Sequence, residues 1–187
     1  MKIIGIVGSG RKNSNSRRLL EFAIEVAQKK GFETKIIDVL DLDFVGCNEC
    51  NVCKRTGKCP IEDDITPLYD EIELADGVIV SAPVYFYSLP GQMKLFVDRF
   101  QALWARYHLL RQKFRHSGYG GVISVAGSRG NRVFDGVVLP LKYFFEVQGK
   151  KMFEPLLFRD YDGEPDKIPP AFLIKTQMWM ERFLRMF

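Results

Sequence analysis

Short apolar segments alternate with longer amphipathic segments along this chain. Runs rich in Val and Ile predict five strands, at residues 2–7, 34–39, 77–82, 122–126 and 150–158. Helical spacing of apolar residues predicts five helices, at residues 16–30, 63–74, 91–107, 132–145 and 171–187. Strands that alternate with helices form a parallel sheet with helices on both faces. The pattern therefore predicts an α/β fold, a three-layer αβα sandwich whose five-stranded parallel sheet has the order 2-1-3-4-5.

Length and composition predict one domain over residues 1–187, with a cysteine-rich loop at residues 46–60. The chain has 47% apolar and 27% charged residues, as in ordinary globular proteins. No apolar run approaches the roughly 20 residues of a membrane span, and the apolar start is too short for a signal peptide. We therefore expect an unprocessed cytoplasmic protein that engages neither membrane nor nucleic acid.

Charge is unevenly distributed. Residues 99–134, here called the basic segment, contain seven Lys or Arg and no Asp or Glu. Residues 61–93, the acidic segment, contain seven Asp or Glu and no Lys or Arg. A local basic zone fits a phosphorylated small molecule or an acidic protein surface. Ordinary solvated charge on helices and loops explains it equally well.

In such a sheet, a ligand binds at the carboxyl ends of the strands, near the point where strand order reverses. The loop after the first strand, residues 8–16, reads Gly-Ser-Gly-Arg-Lys-Asn-Ser-Asn-Ser and opens a helix. Glycines, hydroxyls and helix N–H groups together favour an anion such as a phosphate. This phosphate loop is neither a Walker A motif nor a G-x-G-x-x-G fingerprint.

Two further loops follow the third and fourth strands. The aromatic loop, residues 81–90, contains Tyr85, Phe86 and Tyr87. These aromatics either form a wall for a fused ring system or close the end of the core. The glycine loop, residues 126–131, contains Gly127, Arg129 and Gly130, so its backbone can approach a ligand closely.

Together these motifs resemble the NADPH-dependent FMN reductase family, and within it the iron–sulfur flavoprotein branch. The resemblance runs from the first strand to the glycine loop and rests on the phosphate loop, Pro83-Val84-Tyr85-Phe86 followed by Pro90, Met93-Lys94, Phe96-Val97-Asp98-Arg99, and a cysteine run ending in Asp63-Asp64. It implies a flavodoxin-like fold that binds FMN. It also implies a homodimer or homotetramer, since family members usually place the flavin near a subunit interface.

The resemblance implies roles for residues in all three loops. The FMN phosphate would contact Ser9, Arg11, Ser14, Asn15 and Ser16. The flavin ring and ribityl chain would contact Pro83, Val84, Tyr85, Phe86 and Ser88. The other edge of the ring would contact Gly127, Ser128 and Arg129.

Four cysteines lie close together, at Cys47, Cys50, Cys53 and Cys59. Four thiolates at this spacing suit one [4Fe–4S] cluster, and they also suit a tetrahedral zinc ion. Free or redox-active thiols are a third interpretation. The compact spacing is similar to that of the iron–sulfur flavoprotein branch, so we favour [4Fe–4S] with zinc as the alternative. We interpret Asp63 and Asp64 as the start of a helix and not as a catalytic pair.

The combined interpretation is an FMN-dependent oxidoreductase. It would pass electrons between NAD(P)H or a ferredoxin-like donor and a small-molecule acceptor such as a quinone, oxygen or peroxide. We predict no catalytic side chain, because no nucleophile has a nearby base and the chemistry falls to the cofactor. One alternative is an FMN reductase with zinc or free thiols in place of the cluster. Another is a non-enzymatic metal or redox sensor.

Overall fold

A parallel sheet organises the chain, which the computed structural model describes over residues 1–187. The strands are β1 Lys2–Val7, β2 Glu33–Asp38, β3 Gly77–Pro83, β4 Gly118–Val125, β5 Lys150–Met152 and β6 Leu156–Phe158. The helices are α1 Asn15–Lys29, α2 Cys53–Thr56, α3 Thr66–Leu74, α4 Gly91–Arg99, α5 Gln101–Trp104, α6 Asp135–Glu146 and α7 Pro170–Leu184. Short 3₁₀ turns lie at Val39–Asp41 and Pro165–Lys167, and a π-helical turn lies at Ala105–Leu109.

The strand order is β2-β1-β3-β4-β5, and all pairs are parallel. This confirms the predicted order. Strand order reverses between β1 and β3, where Val7 pairs with Ser81. Pro83 at the end of β3 pairs with Val125 at the end of β4. The carboxyl ends of these three strands therefore meet at one edge of the sheet, and the three loops described above begin there.

The predicted fifth strand is divided, so the prediction of one continuous strand was wrong. β5 pairs with the start of β4, and β6 pairs with the end of β4. Between them, Pro155 has no N–H to donate to a neighbouring strand, and the carbonyl of Glu154 accepts a hydrogen bond from Trp179 Nε1 at 2.7 Å. The chain therefore leaves the ladder for three residues and then rejoins the same edge.

The predicted helix at residues 91–107 is also divided. α4 ends at Arg99, Phe100 has φ −74° and ψ 2°, and α5 and the π-helical turn follow. Both side chains at the break are almost fully buried. The Phe100 ring packs on Phe144 and Tyr69, whereas Arg99 reaches toward residues 45–63. The bend lets both side chains keep these separate partners.

An apolar cluster covers each face of the sheet, as a parallel sheet buried on both sides requires. In β1, Ile4 and Ile6 belong to the cluster beneath α3, α4 and α6. Ile3 and Val7 belong to the cluster beneath α1 and α7. The three-layer αβα arrangement is therefore confirmed. None of the helices combines the length and the apolar character that crossing a membrane demands.

Candidate functional site

The carboxyl edge of β1, β3 and β4 borders a cavity of about 330 Å³, here called the edge cavity. Three loops and one further segment line it. The lining residues are Ser9, Arg11, Asn13, Ser14, Asn15, Ser16, Pro83, Val84, Tyr85, Val125, Gly127, Tyr161, Asp162, Gly163, Glu164 and Pro165.

The N-terminus of α1 forms the polar end of the edge cavity. Ser14 caps the helix, and its hydroxyl accepts a hydrogen bond from the Arg17 N–H at 3.3 Å. The first N–H groups of a helix have no partner within the helix, and the helix dipole favours negative charge there. Asn15 donates to the carbonyl of Gly163 at 2.8 Å, while its Oδ1 is buried without a partner. This end of the cavity can therefore bind an anion.

The aromatic loop forms the less polar wall. Tyr85 and Ser88 exchange two backbone hydrogen bonds, of 3.0 and 2.9 Å. Between them, Phe86 and Tyr87 have φ values of +48° and +61°. Residues with side chains rarely adopt this left-handed conformation, which concentrates at functional sites. The tight turn places Tyr85 in the cavity lining and leaves the Phe86 ring fully exposed.

Most of the predicted cofactor residues line this cavity. Those that do are Ser9, Arg11, Ser14, Asn15, Ser16, Pro83, Val84, Tyr85 and Gly127. Phe86, Ser88, Ser128 and Arg129 are not part of the lining. The Ser88 hydroxyl donates to the Gly136 carbonyl at 3.4 Å, and Arg129, 83% exposed, pairs with Asp160 at 2.7 Å. Those contacts turn both side chains away from the cavity.

The segment from Tyr161 to Pro165 also lines the cavity, and sequence reasoning missed it. Pairing of β6 with the end of β4 carries it there. The Ala126 N–H donates to the Phe158 carbonyl at 2.8 Å, and the Tyr161 N–H donates to the Ala126 carbonyl at 3.1 Å. The sequence could have predicted this placement, because a polar loop that follows the last parallel strand must begin at the same edge of the sheet.

All four cysteines line a second cavity of about 510 Å³, here called the cysteine cavity. Cys47 and Cys50 are exposed, and Cys53 and Cys59 are half-buried free thiols. Burial raises the pKa of Cys53, and the three neighbouring cysteines raise it further. No three His, Cys, Asp or Glu side chains are gathered closely enough to hold a metal ion. The structure thus gathers the cysteines around one cavity but not into a coordination group.

Arg99 links α4 to both ends of the cysteine-rich loop, residues 46–60, here called the cysteine segment. Its buried guanidinium donates to the Val45 carbonyl at 2.7 Å and the Ile61 carbonyl at 3.2 Å, and it forms an ion pair with Asp63. Burial alone would raise the pKa of Asp63, but hydrogen bonds from Arg99 and the Ile65 N–H outweigh it and lower that pKa. Helix α3 begins at Thr66, three residues after Asp63, so Asp63 holds Arg99 instead of beginning the helix as predicted. Sequence reasoning missed the role of Arg99, although the residue belongs to the Phe96–Arg99 motif.

Helix α4 contacts both the phosphate loop and the cysteine segment. Near its start, Met93 lies beneath Gly8, where a Cβ would stand 2.7 Å from the Met93 side chain. At its end, Arg99 borders the cysteine cavity. Six residues of α-helix span about 9 Å. The phosphate loop and the cysteine segment are thus both anchored to one short helix.

Part of the basic segment pairs with the acidic segment. Arg106 pairs with the fully buried Glu73 at 3.0 Å, and Arg115 pairs with Asp70. With the Arg99–Asp63 pair, three of the seven cations of the basic segment pair with the acidic segment. Arg129 and Arg132 pair with acids outside the acidic segment. Arg111 and Lys113 keep free charges on the surface, so an acidic partner would meet a smaller basic patch than the sequence predicts.

Comparisons with known proteins agree with this architecture. A family model described as NADPH-dependent FMN reductase matches residues 1–135. An iron-sulfur flavoprotein of Methanosarcina thermophila is 38% identical over 129 residues, which are 69% of this chain and 65% of that protein. This chain thus covers less than two thirds of that relative's length.

Two solved structures share the fold. A flavone reductase superposes with a TM-score of 0.73 at 17% identity, over 99% of this chain and 62% of that one. A flavodoxin of Streptococcus pneumoniae TIGR4 superposes with a TM-score of 0.62 at 12% identity, over 98% of each chain. These likenesses establish a flavodoxin-like fold. Since the family model matches more than half of the sequence, the chain belongs to the NADPH-dependent FMN reductase family, within which it resembles the iron–sulfur flavoproteins.

Proposed function

We propose that this chain is an FMN-dependent oxidoreductase. It would pass electrons between NAD(P)H or a ferredoxin-like donor and an acceptor such as a quinone, oxygen or peroxide. One observation carries the proposal: the edge cavity joins the N-terminus of the 15-residue helix α1 to the less polar wall of Pro83, Val84 and Tyr85 at the point where strand order reverses. An anionic tail and a flat ring in one ligand match such a cavity.

The residues present fit FMN. The hydroxyls of Ser9, Ser14 and Ser16 and the first N–H groups of α1 would hold the phosphate. Pro83, Val84 and Tyr85 would lie against the ring and its ribityl chain, with Gly127 at the opposite edge. The buried and unpartnered Oδ1 of Asn15 would accept a hydrogen bond from a ligand hydroxyl. Phe86, Ser88, Ser128 and Arg129 do not line the cavity, and their contact with the flavin stays a prediction.

Bound FMN would supply one- and two-electron chemistry. The protein would bind and orient it. None of the lining residues is a histidine or cysteine, and the carboxylates of Asp162 and Glu164 lie in the loop after β6. We therefore assign no catalytic side chain.

We propose that Cys47, Cys50, Cys53 and Cys59 hold a [4Fe–4S] cluster. All four line one cavity, and four thiolates are the ordinary ligand set of such a cluster. Binding requires the side chains to converge. Residues 42–51 have no regular secondary structure that would resist this movement.

An FMN reductase with zinc or free thiols is the second candidate. The exposure of Cys47 and Cys50 and the absence of a compact ligand group favour free thiols, and the same four thiolates would also suit a tetrahedral zinc ion. In that case the cysteine segment would be structural or redox-active, and the edge cavity would keep the same role.

Anaerobic purification tests both proposals on one sample. The measurements are an absorption spectrum, iron, sulfide and zinc contents, and titration with FMN. Flavin bands with about four irons per chain would support the cluster. Flavin with zinc or without metal would leave the oxidoreductase and remove the cluster. A protein that takes up no FMN would overturn the proposed function, and metal-dependent binding to a partner would then favour a sensor.

We also propose that the chain forms a homodimer or homotetramer. Leu139 and Tyr143 on α6 are both more than half exposed. Tyr143 also lines an apolar cavity of about 230 Å³ between α6 and Trp104. Sedimentation equilibrium, compared between the native chain and Leu139→Asp, tests this. A monomer at micromolar concentration would contradict it.

A further inference from the structure

The buried guanidinium of Arg99 has one N–H group without an acceptor. Arginine carries five N–H donors. Those of Nη1 and Nη2 are directed at the Val45 and Ile61 carbonyls and at the Asp63 carboxylate. Nε is buried and has no partner, and the side chain as a whole has no exposed surface. Buried polar groups in proteins are nearly always hydrogen-bonded, so this donor calls for an acceptor.

The cysteine cavity is where that acceptor can come from. Arg99 lines it together with all four cysteines. Burial alone would lower the pKa of Arg99, but Asp63 and the nearby Tyr69 and Cys59 outweigh it and raise it. The Tyr69 hydroxyl donates to the Arg99 carbonyl at 2.8 Å. Burial raises the pKa of Tyr69, and the Cys59 thiol raises it further, as it does that of Arg99.

We infer that the Nε–H of Arg99 is a hydrogen-bond donor to a sulfur of the metal centre in the cysteine cavity. The inference rests on the proposed metal centre. It makes Arg99 a positioning residue with two tasks. Its terminal nitrogens hold the ends of the cysteine segment, and its Nε–H supports the sulfur ligand. Partners outside the ligand set fix the ligands, and hydrogen bonds to sulfur tune an iron–sulfur centre.

Arg106 provides a matched comparison. It also contacts the cysteine segment, and it also pairs with a buried carboxylate, that of Glu73. Its Nε, however, already donates to the Gly57 carbonyl at 3.0 Å. Arg106 therefore anchors the segment with an Nε–H that is already hydrogen-bonded. Replacing either arginine by lysine keeps the positive charge, removes the Nε–H and replaces the guanidinium fork by one ammonium group with three N–H donors.

The direct test is nuclear magnetic resonance of the native chain labelled with ¹⁵N-arginine and loaded with ¹¹³Cd²⁺, which binds thiolates as zinc does. The Nε–H signal of Arg99 is assigned by its loss in Arg99→Lys. We expect it to shift on loading and to show a scalar correlation with ¹¹³Cd through the sulfur. A chain that binds cadmium through its cysteines but leaves this signal unshifted and uncorrelated would overturn the inference.

Two variants extend the test. We expect Arg99→Lys to weaken zinc binding about 10- to 100-fold, measured by competition with a chelator, and Arg106→Lys to change it less than threefold. In iron-loaded protein, we expect the reduction potential to become more negative in Arg99→Lys and to stay unchanged in Arg106→Lys. Equal losses in both variants, with no change in potential, would reduce Arg99 to an anchor and refute the inference. A native chain that takes up neither cadmium, zinc nor iron would instead refute the proposed metal centre.

Discussion

Lys150 is a buried lysine whose charge should weaken the fold at neutral pH. The residue is 4% exposed, at the start of β5. Its Nζ donates to the Glu73 carbonyl at 2.8 Å. Burial lowers the pKa of Lys150 from 10.5 to about 8, against the opposing effect of Glu73 and Asp76. The unfolded chain therefore holds this proton more tightly than the folded chain does.

These pKa values give the size of the stability cost and the pH range over which it disappears. One pKa unit corresponds to about 1.4 kcal/mol, so the charged lysine costs the fold about 3 kcal/mol below pH 8. Between about pH 8 and 10.5 the unfolded state binds more protons, and stability rises with pH by that amount. Lys150→Met removes this penalty but also loses one hydrogen bond, worth about 1 kcal/mol.

We therefore expect Lys150→Met to be more stable than the native chain by about 2 kcal/mol at pH 7. The advantage should shrink above pH 8 and reverse between about pH 9 and 10.5, where the native lysine is neutral and keeps its hydrogen bond. Urea unfolding followed by circular dichroism, at intervals from pH 7 to 10.5, measures the difference. Subtracting the native curve removes the contribution of tyrosines, which also titrate in this range.

The neighbouring Lys151→Met is the control, because Lys151 is exposed. Its stability difference should be small and independent of pH. The reasoning would be refuted if Lys150→Met were less stable than the native chain at pH 7, with a difference that stays constant up to pH 10.5. That result would mean that the Lys150 ammonium is solvated or fully compensated in the fold.

Three further predictions concern the edge cavity and the basic segment. Ser14→Ala should lower stability by about 1 kcal/mol through loss of the helix cap, and it should weaken FMN binding. An unchanged FMN affinity in a fluorescence titration would exclude the Ser14 hydroxyl from the phosphate site. In Gly136→Ala, the added Cβ would stand 2.1 Å from a carbonyl oxygen of the aromatic loop. We expect this overpacking to destabilise the fold by about 1–3 kcal/mol and to weaken FMN binding. Gly91→Ala, with nothing within 4 Å of the added Cβ, is its control in the same melting and titration assays. Replacing Arg111 and Lys113 by glutamine should slow reduction of the bound flavin by an acidic protein donor at low salt, but not by NAD(P)H. Equal stopped-flow rates for native and variant with the protein donor would contradict docking at this patch.

The local pattern of the chain was sufficient to predict the sheet. The Val- and Ile-rich runs lack alternation because each strand is buried on both faces, which only a parallel sheet covered by helices provides. Strand order then placed the phosphate, aromatic and glycine loops at one edge. Nine of the thirteen predicted cofactor residues line the resulting cavity for that reason.

Contacts between distant parts of the chain decided the rest. Trp179 and Pro155 together divide the last strand, and pairing of β6 with β4 brings the Tyr161 segment to the cavity. Positive φ values at Phe86 and Tyr87 turn the Phe86 side chain outward, and the local sequence, which has no glycine there, does not predict this conformation. The sequence identified four cysteines as a group. Only the tertiary structure shows that Arg99 lies beside them with a buried, unpartnered N–H, because burial and hydrogen bonding depend on what the whole fold packs around a residue.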